Sequence, residues 1–77
     1  MEPEEAFGIA LRKLRKQRKL SQEKLALEAG VERNYISLLE LGRNSASIKI
    51  IFKLARVLEI KPSALVELAE AELAPRG

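Results

Sequence analysis

The stretch "LALEAGVERNYISLLE", residues 25–40, reads as two short helices divided by Ala29-Gly30-Val31. The second half sorts its side chains onto two sides. On a helical wheel Tyr35, Ile36 and Leu39 fall on one arc, and Arg33, Asn34, Ser37 and Leu38 fall on the other. Isolated helices below about 12–15 residues are marginal in water, so neither half is held by its own hydrogen bonds. The apolar arc must meet other parts of the chain, and the polar arc is left over for another purpose.

Two helices that cross steeply need a small residue at their contact and a turn residue able to reach positive φ. Ala26 and Gly30 meet these demands, and Leu25, Ala29, Val31, Ile36 and Leu39 supply an apolar seam. Residues 22–41 therefore satisfy the geometry of a helix-turn-helix. Ser21 is the best N-cap in the chain, with Leu20 and Leu25 placed as a hydrophobic staple around it. Val31 and Ile36 repeat the staple around Glu32, a weaker cap than the Ser, Thr, Asn or Asp expected there. The third helix runs from about residue 33 to 41 and stops at Gly42.

The remaining segments also read as helices, and nothing reads as a strand. Phe7, Ala10, Leu11 and Leu14 recur at helical spacing, and Pro3 suits a first turn, which predicts a first helix over residues 4–18. Gly8 inside it costs up to about 1 kcal/mol of propensity, so its amino-terminal turn is expected to fray. Ser47 caps a fourth helix whose apolar residues cover about two thirds of the circumference, the pattern of a helix surrounded by others. Pro62 opens a fifth, which the Pro75-Arg76-Gly77 ending breaks. The expected fold is all-α: a compact single domain over residues 1–77, with helices two and three as the helix-turn-helix.

Composition excludes more than it assigns. There is no cysteine and no histidine, which removes disulfides, thiolate and imidazole metal ligands and imidazole acid-base chemistry. With few aromatics and no Gly-rich phosphate loop, an enzyme is not expected, nor any metal, cofactor or small-molecule ligand. No apolar run approaches the roughly 18 residues that span a bilayer, and the start of the chain is acidic where a signal peptide would be basic, so a cytoplasmic protein without a membrane partner is expected. Net charge is +3. In "RKLRKQRK", residues 12–19, only Leu14 and Gln17 lack a positive charge, a pattern that fits either a solvated face or long-range attraction to an anion.

"LSQEKLALEAGVERNYISLLELGRN" (residues 20–44) and the apolar helices after it resemble the lambda-repressor/Cro-like, XRE-type helix-turn-helix domains. The resemblance spans about residues 7–68, and "VERNYIS" and "RNSASIK" are most similar to the controller proteins of restriction-modification systems. It implies a five-helix fold that binds double-stranded operator DNA as a symmetric homodimer. The outward arc of helix three then enters the major groove. Arg33 can donate to guanine O6 and N7, Asn34 can pair with adenine, Ser37 can bond a base edge, and Leu38 can meet a thymine methyl. Gln22 resembles the family glutamine that touches backbone, and Tyr35, Arg43, Asn44, Ser47 and Lys49 are further phosphate-contact candidates. The resemblance also implies a structural ion pair between Arg15 and Glu40, which keeps both off the DNA-contact list.

The fifth helix carries more apolar arc than the roughly 100° needed to lie on one core. The surplus is expected to meet a second copy through residues 57–73: Val57, Ile60, Leu65, Val66, Leu68, Ala69 and Leu73. A core this small supplies only about 3–5 kcal/mol, so a dimer would also add stability. A twofold dimer sets recognition helices about 34 Å apart and predicts a pseudo-palindromic operator. The expected function is a sequence-specific transcriptional regulator, in its narrower form a controller protein at its own promoter. Antitoxin-type or phage-type repressors and a helical protein-interaction module are the alternatives. An activating role would add RNA polymerase as a partner, with Glu23, Glu28 and Glu32 as the contact candidates.

Overall fold

Two serines start the inner helices. Ser21 Oγ accepts the Lys24 amide at 3.0 Å and Ser47 Oγ accepts the Ile50 amide at 3.2 Å, each satisfying a first-turn N–H that has no partner within its helix. The structure is a computed structural model that describes residues 1–74. Among these residues the elements are α1 (Pro3–Gln17), α2 (Gln22–Ala29), α3 (Arg33–Glu40), α4 (Ile48–Leu58) and α5 (Pro62–Leu73), with no strand. The Pro75-Arg76-Gly77 ending expected to break α5 lies outside the described residues. No helix of the described chain is long and apolar enough to cross a membrane.

Gly30 ends α2 in the left-handed conformation, φ 72°, as its lack of a β-carbon allows. Glu32 begins α3 without a side-chain capping bond. Two other helix ends are not legible from residue type, because Lys19 and Glu59 take left-handed φ values of 58° and 59° without being glycine.

α1 packs along α5 and against α3, α2 packs against α3 and α4, and α4 lies on α5. The seam residues Leu25, Ile36 and Leu39 share one fully buried cluster with Leu11, Leu54 and Leu58. Here the expectation for Gly8 is corrected. Gly8 is buried within an unbroken α1, and a β-carbon there would stand 2.4 Å from the Leu39 carbonyl oxygen and 2.7 Å from that of Glu40. Glycine lets α1 approach the end of α3, which its poor helix propensity alone does not reveal.

Two further expectations are corrected by burial. α4 is not surrounded: Ile48 and Phe52 remain 71% and 58% exposed. On α5, Leu65 (0% exposed) and Ala69 belong to the chain's own core and have no surface to offer a second copy. Val57 and Ile60 are half-buried against the same core, whereas Val66, Leu68 and Leu73 are exposed. Val66 lines a cleft with Phe7, Ala46 and Ile51, and Leu68 lines a separate groove beside α1 with Leu14 and Gln17. The surplus of α5 thus lies on two flanks rather than on one face.

Candidate nucleic-acid interface

The apolar arc of α3 is buried through Ile36 and Leu39, with Tyr35 half-buried against the core. That fixes the rotation of the helix. Arg33 and Asn34 are consequently exposed in its first turn, and neither engages another side chain among the described residues. Ser37 and Leu38 are half-buried, and Leu38 stands apart from the core cluster. Arg43, Asn44, Ser47 and Lys49 follow as an exposed series from the end of α3 into the first turn of α4.

The fold brings the start of α2 beside the start of α3, where Ser21, Gln22, Glu23 and Arg33 line one open depression together with Arg15. Positive ends of helix dipoles and free first-turn amides at α2 and α4 make these two starts favourable for anionic groups. Of the basic run over residues 12–19, the exposed Lys13 pairs with Glu72 at 2.6 Å and the exposed Arg18 with Glu59 at 2.9 Å. Arg12, Lys16 and Lys19 are exposed as well. Pairing within the chain therefore offsets part of this run's positive charge.

Arg15 is the buried member of the run. Its Nε donates to Glu40 Oε2 at 2.6 Å and its Nη2 to Glu40 Oε1 at 3.0 Å, a two-pronged pair that joins α1 to the last residue of α3. Nη1 donates to the Leu20 carbonyl at 2.8 Å, which ties the same guanidinium to the turn before α2. These hydrogen bonds to Glu40 hold the Arg15 pKa above the ordinary arginine value, against the opposing effect of burial. Sequence reasoning missed one partner. Gln22 Nε2 donates to Glu40 Oε1 at 3.0 Å, a link between residues far apart in the chain that no local pattern announces.

Comparisons with known proteins agree with this geometry. A helix-turn-helix family model matches residues 11–65. The chain is 37% identical over 62 residues to the control protein C.BamHI of Bacillus amyloliquefaciens, covering 79% of this chain and 76% of that protein. Among solved structures it is similar to the restriction-modification controller protein C.AhdI of Aeromonas hydrophila, at 42% identity and a TM-score of 0.79, covering 80% of this chain and 94% of that one. It is also similar to the clp gene regulator ClgR of Corynebacterium glutamicum, at 26% identity and a TM-score of 0.90, over 95% of this chain and 78% of that one. The chain belongs to the XRE-type helix-turn-helix family of transcriptional regulators, proteins that act by binding DNA rather than by catalysing a reaction.

Proposed function

We propose that this regulator reads a pseudo-palindromic operator as a homodimer and, in its narrower form, controls its own promoter as a restriction-modification controller protein. The observation that carries the reading is the free, exposed pair Arg33 and Asn34 at the start of α3, with Arg33 beside Gln22 in one depression. Arg33 bonds guanine O6 and N7, Asn34 pairs with adenine, and Ser37 and Leu38 meet a base edge and a thymine methyl deeper along the helix. Gln22, Arg43, Asn44, Ser47, Lys49 and the Tyr35 hydroxyl hold phosphates and set the register. Such a regulator acts in the cytoplasm, where its DNA is. An activating role would use Glu23, Glu28 and Glu32 toward RNA polymerase, around the exposed Leu27.

The dimer face is carried by residues that burial leaves available. Phe52 shares a groove with Ile60 and Pro62, and Val66 lies one turn beyond Pro62 on α5. This α4–α5 patch, with Leu73 on the same flank, replaces the larger set that included Leu65 and Ala69. Val57 contributes at its margin, and Leu68, in its separate groove beside α1, is the alternative surface.

The test is binding to the DNA upstream of the chain's own gene, titrated at two salt concentrations beside a scrambled duplex, with Arg33→Ala in parallel. The expected result is specific, salt-weakened binding whose selectivity the variant loses, at a cost of about 1–3 kcal/mol. Equal, weak binding of wild type to both duplexes would overturn autoregulation. A restriction endonuclease or methyltransferase gene beside it would separate the controller reading from an antitoxin or phage repressor.

A further inference from the structure

We infer that Glu40 is a positioning residue for DNA binding in addition to anchoring the fold: it holds the carboxamide of Gln22 so that this side chain meets a phosphate already oriented. The inference rests on the reading of Gln22 as a phosphate contact.

Glu40 is the last residue of α3 and Gln22 the first of α2, so their bond closes the helix-turn-helix end to end. The carboxylate is almost dry, with its side chain 4% exposed, and it accepts from three nitrogens: Arg15 Nε, Arg15 Nη2 and Gln22 Nε2. Gln22 is half-buried and lines the same depression as Arg33. Its amide nitrogen carries two hydrogens, of which Glu40 takes one, leaving the other for a second acceptor.

A carboxylate beside a phosphate contact would ordinarily repel the DNA. Arg15 cancels that charge through its two-pronged pair, so Gln22 rests on an ion pair with no net charge. A glutamine free in solvent loses rotamer freedom when it binds, whereas one already held has lost it on folding. Close packing at Gly8 fixes the same end of α3 from the α1 side, since no β-carbon fits between that residue and the Leu39 and Glu40 carbonyls. Glu40 is thus held on two sides by α1, and it passes its position to Gln22.

Two measurements decide the matter. The first is nuclear magnetic relaxation of the side-chain amides in the free, unmodified protein, where Gln17, exposed at the end of α1, is the only other glutamine and serves as the reference. A restricted Gln22 amide beside a mobile Gln17 is expected; equal mobility would sink the inference, whatever any variant does.

The second is a double-mutant cycle of Gln22→Ala and Glu40→Gln on a random-sequence duplex, read below the unfolding temperature of every variant. Freeing the Arg15 charge alters affinity equally with Gln22 present or replaced. An effect that runs through Gln22 disappears once the Gln22→Ala substitution is in place. The expected coupling is at least about twofold in affinity, the low end for neighbours that share a bond. Additive effects, with Glu40→Gln lowering only thermal stability, would leave Glu40 a purely structural residue. A wild type that binds no duplex would overturn the regulator reading itself and this inference with it, an outcome distinct from additivity.

Discussion

Arg15 stands in the middle of a positively charged run, yet it is the one basic residue of that run that solvent hardly reaches. Charge pattern alone would assign it to a solvated basic face with Arg12 and Lys16. Instead it ties α1 to α3 and to the turn at Leu20. Removing one partner of a buried pair leaves an uncompensated charge and costs about 3–5 kcal/mol, comparable to everything a core of this size supplies. Glu40→Ala is therefore expected to unfold most of the protein at ambient temperature, as read by denaturant titration of helical circular dichroism, and unchanged thermal stability would refute the role. A folded-state pKa raised above the unfolded one adds stability at every pH below the ordinary arginine value, lost only as pH climbs through the raised one. The arginine half of the pair thus contributes no pH dependence across the neutral range.

At the scale of elements, helix starts are legible where a side chain makes the cap and obscure where geometry does. Ser21 and Ser47 announce α2 and α4 in the sequence and make the bonds expected of them. Glu32 does not, and α3 begins without a side-chain cap. Replacing Glu32 by Ser should stabilise the protein by about 1 kcal/mol, the usual difference a good cap makes, and raise the melting temperature by a few degrees. The opposite holds at Gly8. Alanine there improves helix propensity by about 1 kcal/mol, but its methyl group collides with the Leu39 and Glu40 carbonyls. Backbone cannot swing aside as a flexible side chain would, so Gly8→Ala is expected to destabilise by about 1–3 kcal/mol overall. A gain in stability would mean that α1 can shift along α3 without loss.

For the whole molecule, the sequence leaves open where the apolar surplus of α4 and α5 goes. Leu65 and Val66 are adjacent in sequence and opposite in fate, at 0% and 48% exposed. Their substitutions should separate folding from assembly. Leu65→Ala is expected to cost about 2–5 kcal/mol in unfolding experiments. For the proposed homodimer, Val66→Glu should leave the monomer folded and shift sedimentation toward monomer, weakening operator binding because the two half-sites would no longer be gripped together. If Val66→Glu stays dimeric with full operator affinity, the partner surface lies elsewhere, and the groove containing Leu68 becomes the next one to disrupt. Phe52, which the helical pattern assigned to a surrounded helix, belongs in the same experiment.

Periodicity, Gly30 and the two serine caps were enough to determine five helices and the rotation of α3, because those signals act within one or two turns of chain. That rotation in turn left Arg33 and Asn34 facing outward. Nothing local distinguishes Leu65 from Val66 as core and surface, marks Gly8 as a point of helix contact, or joins Gln22 to Glu40. Each depends on which other helix arrives, and at what distance, so only the tertiary structure could decide it: burial and long-range hydrogen bonds are properties of packed pairs, not of a residue and its sequence neighbours.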